Sequence, residues 1–132
     1  MLKKTHIGLM AGAALLGSGL VLAPSASASA SASADVSPKV ACDFYHHNAD
    51  AGSGTVTADS LARREGPYTY CDAYGYAAHG AKIYYWCYDT GSSVTSNGLT
   101  MDTWTYGRIS GTSQEGWFSD VYLSNHGATH PC

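Results

Sequence analysis

Apolar and polar positions fall into two regimes along this chain. From Ile7 to Ala23, 17 residues run without a charge, and Leu9, Met10, Leu15, Leu16, Leu20, Val21 and Leu22 make the run strongly apolar. Lys3 and Lys4 precede it, Pro24 ends it, and serine alternates with alanine from Ser25 to Ala34. A positive start, an apolar stretch and a small-residue tract are the three parts of a secretory signal. Ala28, Ala30, Ala32 and Ala34 each suit the last residue removed. The competing reading is a membrane anchor. Gly12, Gly17 and Gly19 thin the run, however, and its length is at the short limit for a hydrocarbon layer of roughly 30 Å. Export with cleavage near Ala34 is the expectation, which leaves residues 1–34 as a signal segment.

Beyond Ala34 the pattern changes to period two. Residues 35–55 carry few apolar positions at any regular spacing and read as an extended arm, tied down by Cys42 and by Phe44 and Tyr45. Gly52-Ser53-Gly54 is a turn signal. Val56 and Ala58 then alternate with Thr57 and Asp59 in a strand ending at Ser60, and Gly66-Pro67 marks the next turn. The run from Ala81 to Asp89 is the clearest strand, rich in aromatic side chains. Its alternation puts Ile83, Tyr85 and Cys87 on one face and Tyr84, Trp86 and Tyr88 on the other. Gly91 to Gly98 reads as a polar connecting loop, Thr103 to Ile109 as a strand, Gly111 to Glu115 as a turn and Gly116 to Phe118 as a short strand. The tail over 125–132 is polar, and its end is held only if Cys132 is bonded. No three-turn helix can be drawn, because 15 glycines interrupt any helical stripe. The prediction is an all-β domain over 56–124: about five short strands closing into a small barrel, which also removes exposed strand edges.

Charge and cysteine count narrow the class. Without Lys3 and Lys4 the chain keeps 5 Lys and Arg against 10 Asp and Glu, a formal net charge of −5. Phosphate-backbone binding needs clustered cations, so nucleic acid is excluded as a partner. No later stretch approaches 18 apolar residues, so no second membrane segment is expected. The remaining 98 residues make one domain of a size that often needs covalent help. Cys42, Cys71, Cys87 and Cys132 all lie in that part, which in an oxidising compartment reads as two disulfides with three connectivities open. A zinc site is the rival reading, but no Cys-x-x-Cys pair exists.

Two stretches resemble a known family. Val-Thr-Ala-Asp-Ser-Leu-Ala-Arg-Arg-Glu-Gly-Pro, at 56–67, is similar to the opening of bacterial SH3-like (SH3b) domains, and it places Arg64, Gly66 and Pro67 on the family's turn. Trp104 matches the Trp-containing strand. The closing signature resembles Gly116-Trp117-Phe118-Ser119-Asp120-Val121-Tyr122-Leu123. The resemblance covers about 68 of the 98 residues, in the right order. It departs at Arg63, where the family has an apolar residue, so Leu61 must anchor that strand alone. It departs again over Pro67 to Gly80, where Tyr68, Tyr70, Cys71, Tyr74 and Tyr76 replace a plainer loop. The resemblance implies an SH3-like barrel, a Cys87–Cys132 pair with Cys42–Cys71 as the second, and a non-catalytic binding function.

Candidate chemistry is aromatic. Every one of the ten tyrosines and three tryptophans lies after position 34. Tyr85 and Phe118 are expected in the core. Tyr84, Trp86 and Tyr88 would project outward together, with Tyr68 and Tyr122 approaching from neighbouring loops to form a groove for peptide or sugar. Equally, the row could pack beneath the arm or the Tyr-rich segment, since cross-strand aromatic pairs stabilise sheets without a ligand. His46, His47, His79, His126 and His130 read as solvated or locally bonded rather than as metal ligands. There is no Gly-x-Ser-x-Gly elbow, and no carboxylate pair is set by spacing among Asp89, Asp102, Glu115 and Asp120. Asp120 is expected to accept from backbone amides of its own turn, and Arg64 to form a salt bridge that orders the Gly66-Pro67 turn. The expected function is a secreted, monomeric, cofactor-free module for cell-wall peptide or glycan. The alternative is a secreted interaction or inhibitor domain acting on an extracellular protein, with 68–76 as its contact loop.

Overall fold

A computed structural model describes residues 41–132, so the expected signal over 1–34 and the start of the arm lie outside the described residues. The fold is all-β, with six strands: β1 (Ser53–Thr55), β2 (Ser60–Arg64), β3 (Ala73–Ala78), β4 (Lys82–Ser96), β5 (Leu99–Ile109) and β6 (Glu115–Ser119). A single 3-10 turn, Asp120–Tyr122, follows β6. The strands form one antiparallel sheet in the order β1-β4-β5-β6-β2-β3, curled into a half-barrel.

Four sequence expectations are corrected. Ser53 and Gly54, expected in a turn, lie in β1 and pair with Tyr84 and Ile83 of β4. The polar stretch after Gly91 is not a loop, because β4 and β5 continue through it as one long hairpin. Its Ser, Thr and Val residues suit a strand, and their polarity reflects solvent exposure rather than lost pairing. Asn97 and Gly98 close the hairpin at φ 49° and 79°, the two left-handed positions of a two-residue turn that matches strand twist. The segment from Pro67 to Gly80 contributes β3, an added strand beside β2. Finally, β2 begins at Ser60, where the predicted strand ended; Val56 lies outside it, in an isolated bridge to Leu123 and hydrogen-bonded to the backbone of Gly80 and Ala81.

Inside the curl, Val56, Leu61, Ala77, Ile83, Tyr85, Phe118, Leu123 and Ala128 form the core. Tyr85 and Phe118 are buried there as expected, and Leu61 does anchor β2. Cys42 bonds Cys71 and Cys87 bonds Cys132, the pairing the resemblance implied. At sequence separations of 29 and 45, each bridge contributes about 3.5–4 kcal/mol by the loss of chain entropy in the unfolded state. The tail does not depend on its disulfide alone. Tyr88 donates its amide to His130 O, Cys132 donates to Tyr88 O, and Thr129 donates its amide to Asp50 Oδ2 at 2.6 Å.

Candidate functional site

The outward row of β4 is broken, and the cause is a bulge. Between Tyr85 and Cys87 the register against β5 shifts, leaving Trp86 as the extra residue. Tyr88 therefore comes opposite Thr105, which is fully buried, and packs against the core cluster. Tyr84 stays exposed. Trp86 is half-buried, edge-on to Tyr106 at 5.4 Å between ring centroids. The expected groove of Tyr84, Trp86 and Tyr88 does not form; only Tyr84 of the three is exposed.

What covers Trp86 is the segment from Cys42 to Asp50. Cys42 ties one end, and the amides of Ala49 and Asp50 donate to Trp86 O at the other. Between them, His46 lies flat on Tyr106, 3.6 Å between centroids at 17°. Its Nδ1 pairs with Phe44 O at 2.9 Å. Phe44 meets Tyr68 at 5.4 Å and the edge of Trp117 at 6.4 Å, so Trp117 is buried beneath this strap. Tyr68 in turn stacks on Tyr70 at 5.0 Å. Tyr45, expected to help tie the arm, is 74% exposed and makes ring contact with His47 alone; His46 does the tying instead. Burial pushes the Tyr106 phenol up to about 12, helped by the neighbouring Glu115 carboxylate.

A second surface is open. Leu61, Arg64, Tyr76, Val94, Trp104, Ser119 and Tyr122, with smaller neighbours, line a groove of about 380 Å³. β2 and β3 supply one wall, the β4–β5 hairpin another, and the 3-10 turn the end. Trp104 is held on its floor by donating Nε1 to Ser92 O at 2.9 Å. Tyr76, on the edge strand β3, is 65% exposed. Arg64 is the single charged lining residue. It donates to Cys71 O at 2.8 Å, so its turn is ordered by a carbonyl rather than by the expected carboxylate. Gly66 has no space for a Cβ, which would meet Cys42 O at 2.7 Å and Cys71 Sγ at 2.9 Å. Pro67, beside it, is buried, and its carbonyl accepts from the Ser92 amide. The Ser119 hydroxyl is buried and has no hydrogen-bond partner within the protein. Among the candidates, the groove unites Tyr122 with Arg64 and Trp104 and leaves out Tyr68, Tyr84, Trp86 and Tyr88. Gly116 packs against the Arg63 side chain and the Arg64 carbonyl instead.

No family model, curated protein or solved structure matches the chain. Two buried carboxylates serve the fold. Asp120 is 1% exposed and accepts from the Thr105 hydroxyl at 2.6 Å, not from amides of its own turn. The turn faces inward over β5, so the carboxylate meets Thr105 first. Burial lifts its carboxyl to about 6 even though Thr105 and Thr103 donate to it. Burial also opposes charge at Asp50, but the amides of Thr129 and Gly52, with His130 and the Thr129 hydroxyl, prevail and hold it at about 2. Among the described residues, no three His, Cys, Asp or Glu side chains cluster to hold a metal ion, no cysteine is free, and no helix is long and apolar enough to cross a membrane.

Three residues of this site have roles that no local pattern marks. Tyr76 was visible only as part of a tyrosine-rich segment, because nothing local says that 73–78 pairs with β2. Ser119 stands in the closing signature and His46 among the histidines, yet neither pattern marks a buried hydroxyl at a groove or a ring laid on Tyr106, since those roles arise from what folds over them.

Proposed function

We propose that this protein is a secreted, non-catalytic SH3-like binding module that holds an extended cell-wall peptide in the groove of Leu61, Arg64, Tyr76, Trp104 and Tyr122. The observation that carries this reading is the composition of that groove. Aromatic walls provide contact area at low entropic cost. The unpartnered Ser119 hydroxyl, costly to leave unsatisfied, is a polar group at the groove with no partner of its own. Arg64 is a cation suited to a peptide carboxylate. The SH3b-like motifs at 56–67 and 116–123 support the same assignment, since Arg64, Ser119 and Tyr122 belong to them. Both disulfides accord with an oxidising extracellular setting.

The test is sedimentation of the purified chain with isolated peptidoglycan. Co-sedimentation that falls at least fivefold on Tyr76→Ala, with an unchanged circular dichroism spectrum, supports the reading. Recovery in the supernatant alone defeats it.

A second reading has its own observation. The edge strand β3 presents Tyr74 and Tyr76, 57% and 65% exposed, with no charged residue from Ala73 to Ala78. Such an edge is suited to pairing with a strand of an extracellular protein, as an interaction or inhibitor domain would. Affinity capture from culture medium that yields one stoichiometric protein, lost on Gly75→Pro, would favour this reading over the wall-binding one.

A further inference from the structure

Lys82 on β4 and Arg108 on β5 both reach the ring of Tyr84. The Lys82 Nζ lies 5.0 Å from the ring centroid and the Arg108 guanidinium carbon 5.7 Å from it. Tyr84 is the cross-strand partner of Arg108 and stands two residues from Lys82, so the pleat sends all three to one face. These two are half of the four Lys and Arg among the described residues, gathered on one tyrosine in an otherwise acidic domain.

Neither cation has a carboxylate partner; the one ion pair among the described residues joins His130 to Asp50. Glu115 stands directly across from Arg108 in the ladder, yet its carboxylate takes the Tyr106 hydroxyl at 3.4 Å instead. Arg108 is steadied by donating one N–H to Thr112 O at 3.0 Å, which leaves the rest of its fork uncommitted. Ser110 hydrogen-bonds the Tyr84 hydroxyl, and Tyr84 itself is 38% exposed. The Ser110 bond first, and then the Lys82 and Arg108 charges, draw the Tyr84 phenol below its ordinary value, as a local positive potential should.

We propose that Lys82, Tyr84, Arg108 and Ser110 form a phosphate-binding site that is separate from the groove and shares no residue with it. A guanidinium fork, an ammonium point charge and two hydroxyls suit a tetrahedral, multiply charged oxyanion better than a lone carboxylate. The acidic remainder of the surface repels a polyanion elsewhere, so recognition is confined to a single phosphate group. That group is either free phosphate or one unit of a phosphodiester polymer.

The experiment is a titration of the isotopically labelled chain, followed by two-dimensional amide NMR at constant ionic strength. One arm uses inorganic phosphate, the other a glycerol-phosphate oligomer, and sodium chloride is the reference. Saturable shifts at Lys82, Tyr84, Arg108 and Ser110 are expected, weakened roughly tenfold by Lys82→Gln or Arg108→Gln. Both variants should also raise the Tyr84 pKa by ultraviolet titration, a readout that needs no ligand. Saturation with phosphate at least as tight as with the oligomer identifies the free ion, and tighter oligomer binding identifies the polymer. Shifts no larger than those from chloride in both arms overturn the proposal, as does undiminished binding in the two variants.

Discussion

Thr105 and Asp120 are joined inside the barrel: the Thr105 hydroxyl donates to Asp120 Oδ1 at 2.6 Å and accepts from the Ala128 amide at 2.8 Å. A buried carboxylate thus anchors the C-terminal tail through one threonine of β5. Asp50 anchors the next two residues of the same tail, through the Thr129 amide and the His130 ring. The two acids are displaced in opposite directions, which makes stability depend on pH from both sides.

Asp120 binds its proton more tightly folded than unfolded, its pKa moving from 3.8 to about 6. The folded state therefore holds the extra proton between these values, and stability falls as pH rises through that window, by on the order of 3 kcal/mol. Asp50, held at about 2, contributes stability that is present above 3.8 and is lost as pH falls toward 2, on the order of 2 kcal/mol. Urea unfolding should give maximal stability near pH 4, declining on both sides. Asp120→Asn should abolish the decline on the neutral side. A flat profile between pH 4 and 7 would refute the buried-carboxylate account.

Gly127 packs against that same pair. Its φ is +87°, and a methyl group there would overlap the Asp120 carboxylate and the Thr105 hydroxyl. Gly80 has a similar φ of +79° but open space around it. Gly80→Ala should cost only the conformational penalty of about 1–2 kcal/mol. Gly127→Ala adds overpacking and should cost roughly 2–5 kcal/mol in total. Equal costs in thermal unfolding would show that the tail yields to the methyl.

The strap offers a spectroscopic test. Replacing Cys42 and Cys71 together by alanine should remove about 3.5 kcal/mol and loosen Phe44 and His46 from Trp117. Tryptophan emission should shift to the red in the folded variant. Unchanged emission would mean that the His46 stack and the Trp86 carbonyl hold the strap by themselves.

His46→Ala should cost about 0.5–1.5 kcal/mol, the value of a stacked aromatic pair beyond its area. The same change admits water to Tyr106, so its pKa should fall from about 12 toward the ordinary 10. Ultraviolet titration measures this directly, and an unmoved Tyr106 would place the burying group elsewhere.

The fold was legible wherever chemistry is local. Period-two alternation over Ile83 and Tyr85 identified a buried strand face, and both lie in the core cluster; Cys87 is buried too, but beyond the bulge and opposite Tyr106. Disulfides followed from an even cysteine count, and their pairing only from the resemblance to SH3-like domains. The alternation misled at Trp86 for a definite reason. A bulge inserts one residue opposite none, and neither Trp86 nor its neighbours announce where β5 will pair. Likewise Gly91 to Gly98 looked like a loop, because polarity records exposure and does not record hydrogen bonding.

Residue type and near spacing were enough for an all-β domain, two disulfides of open connectivity and an aromatic surplus. Only the tertiary structure decided which aromatic residues are free. The order β1-β4-β5-β6-β2-β3 sets β3 at an edge, and the strap brings Phe44 and His46 over Trp117 and Tyr106 from some 60 to 70 positions away. That folding covers Trp86, turns Tyr88 inward and leaves Tyr76 and Tyr84 to face the solvent. Contacts across such distances depend on register and closure, which no local pattern encodes.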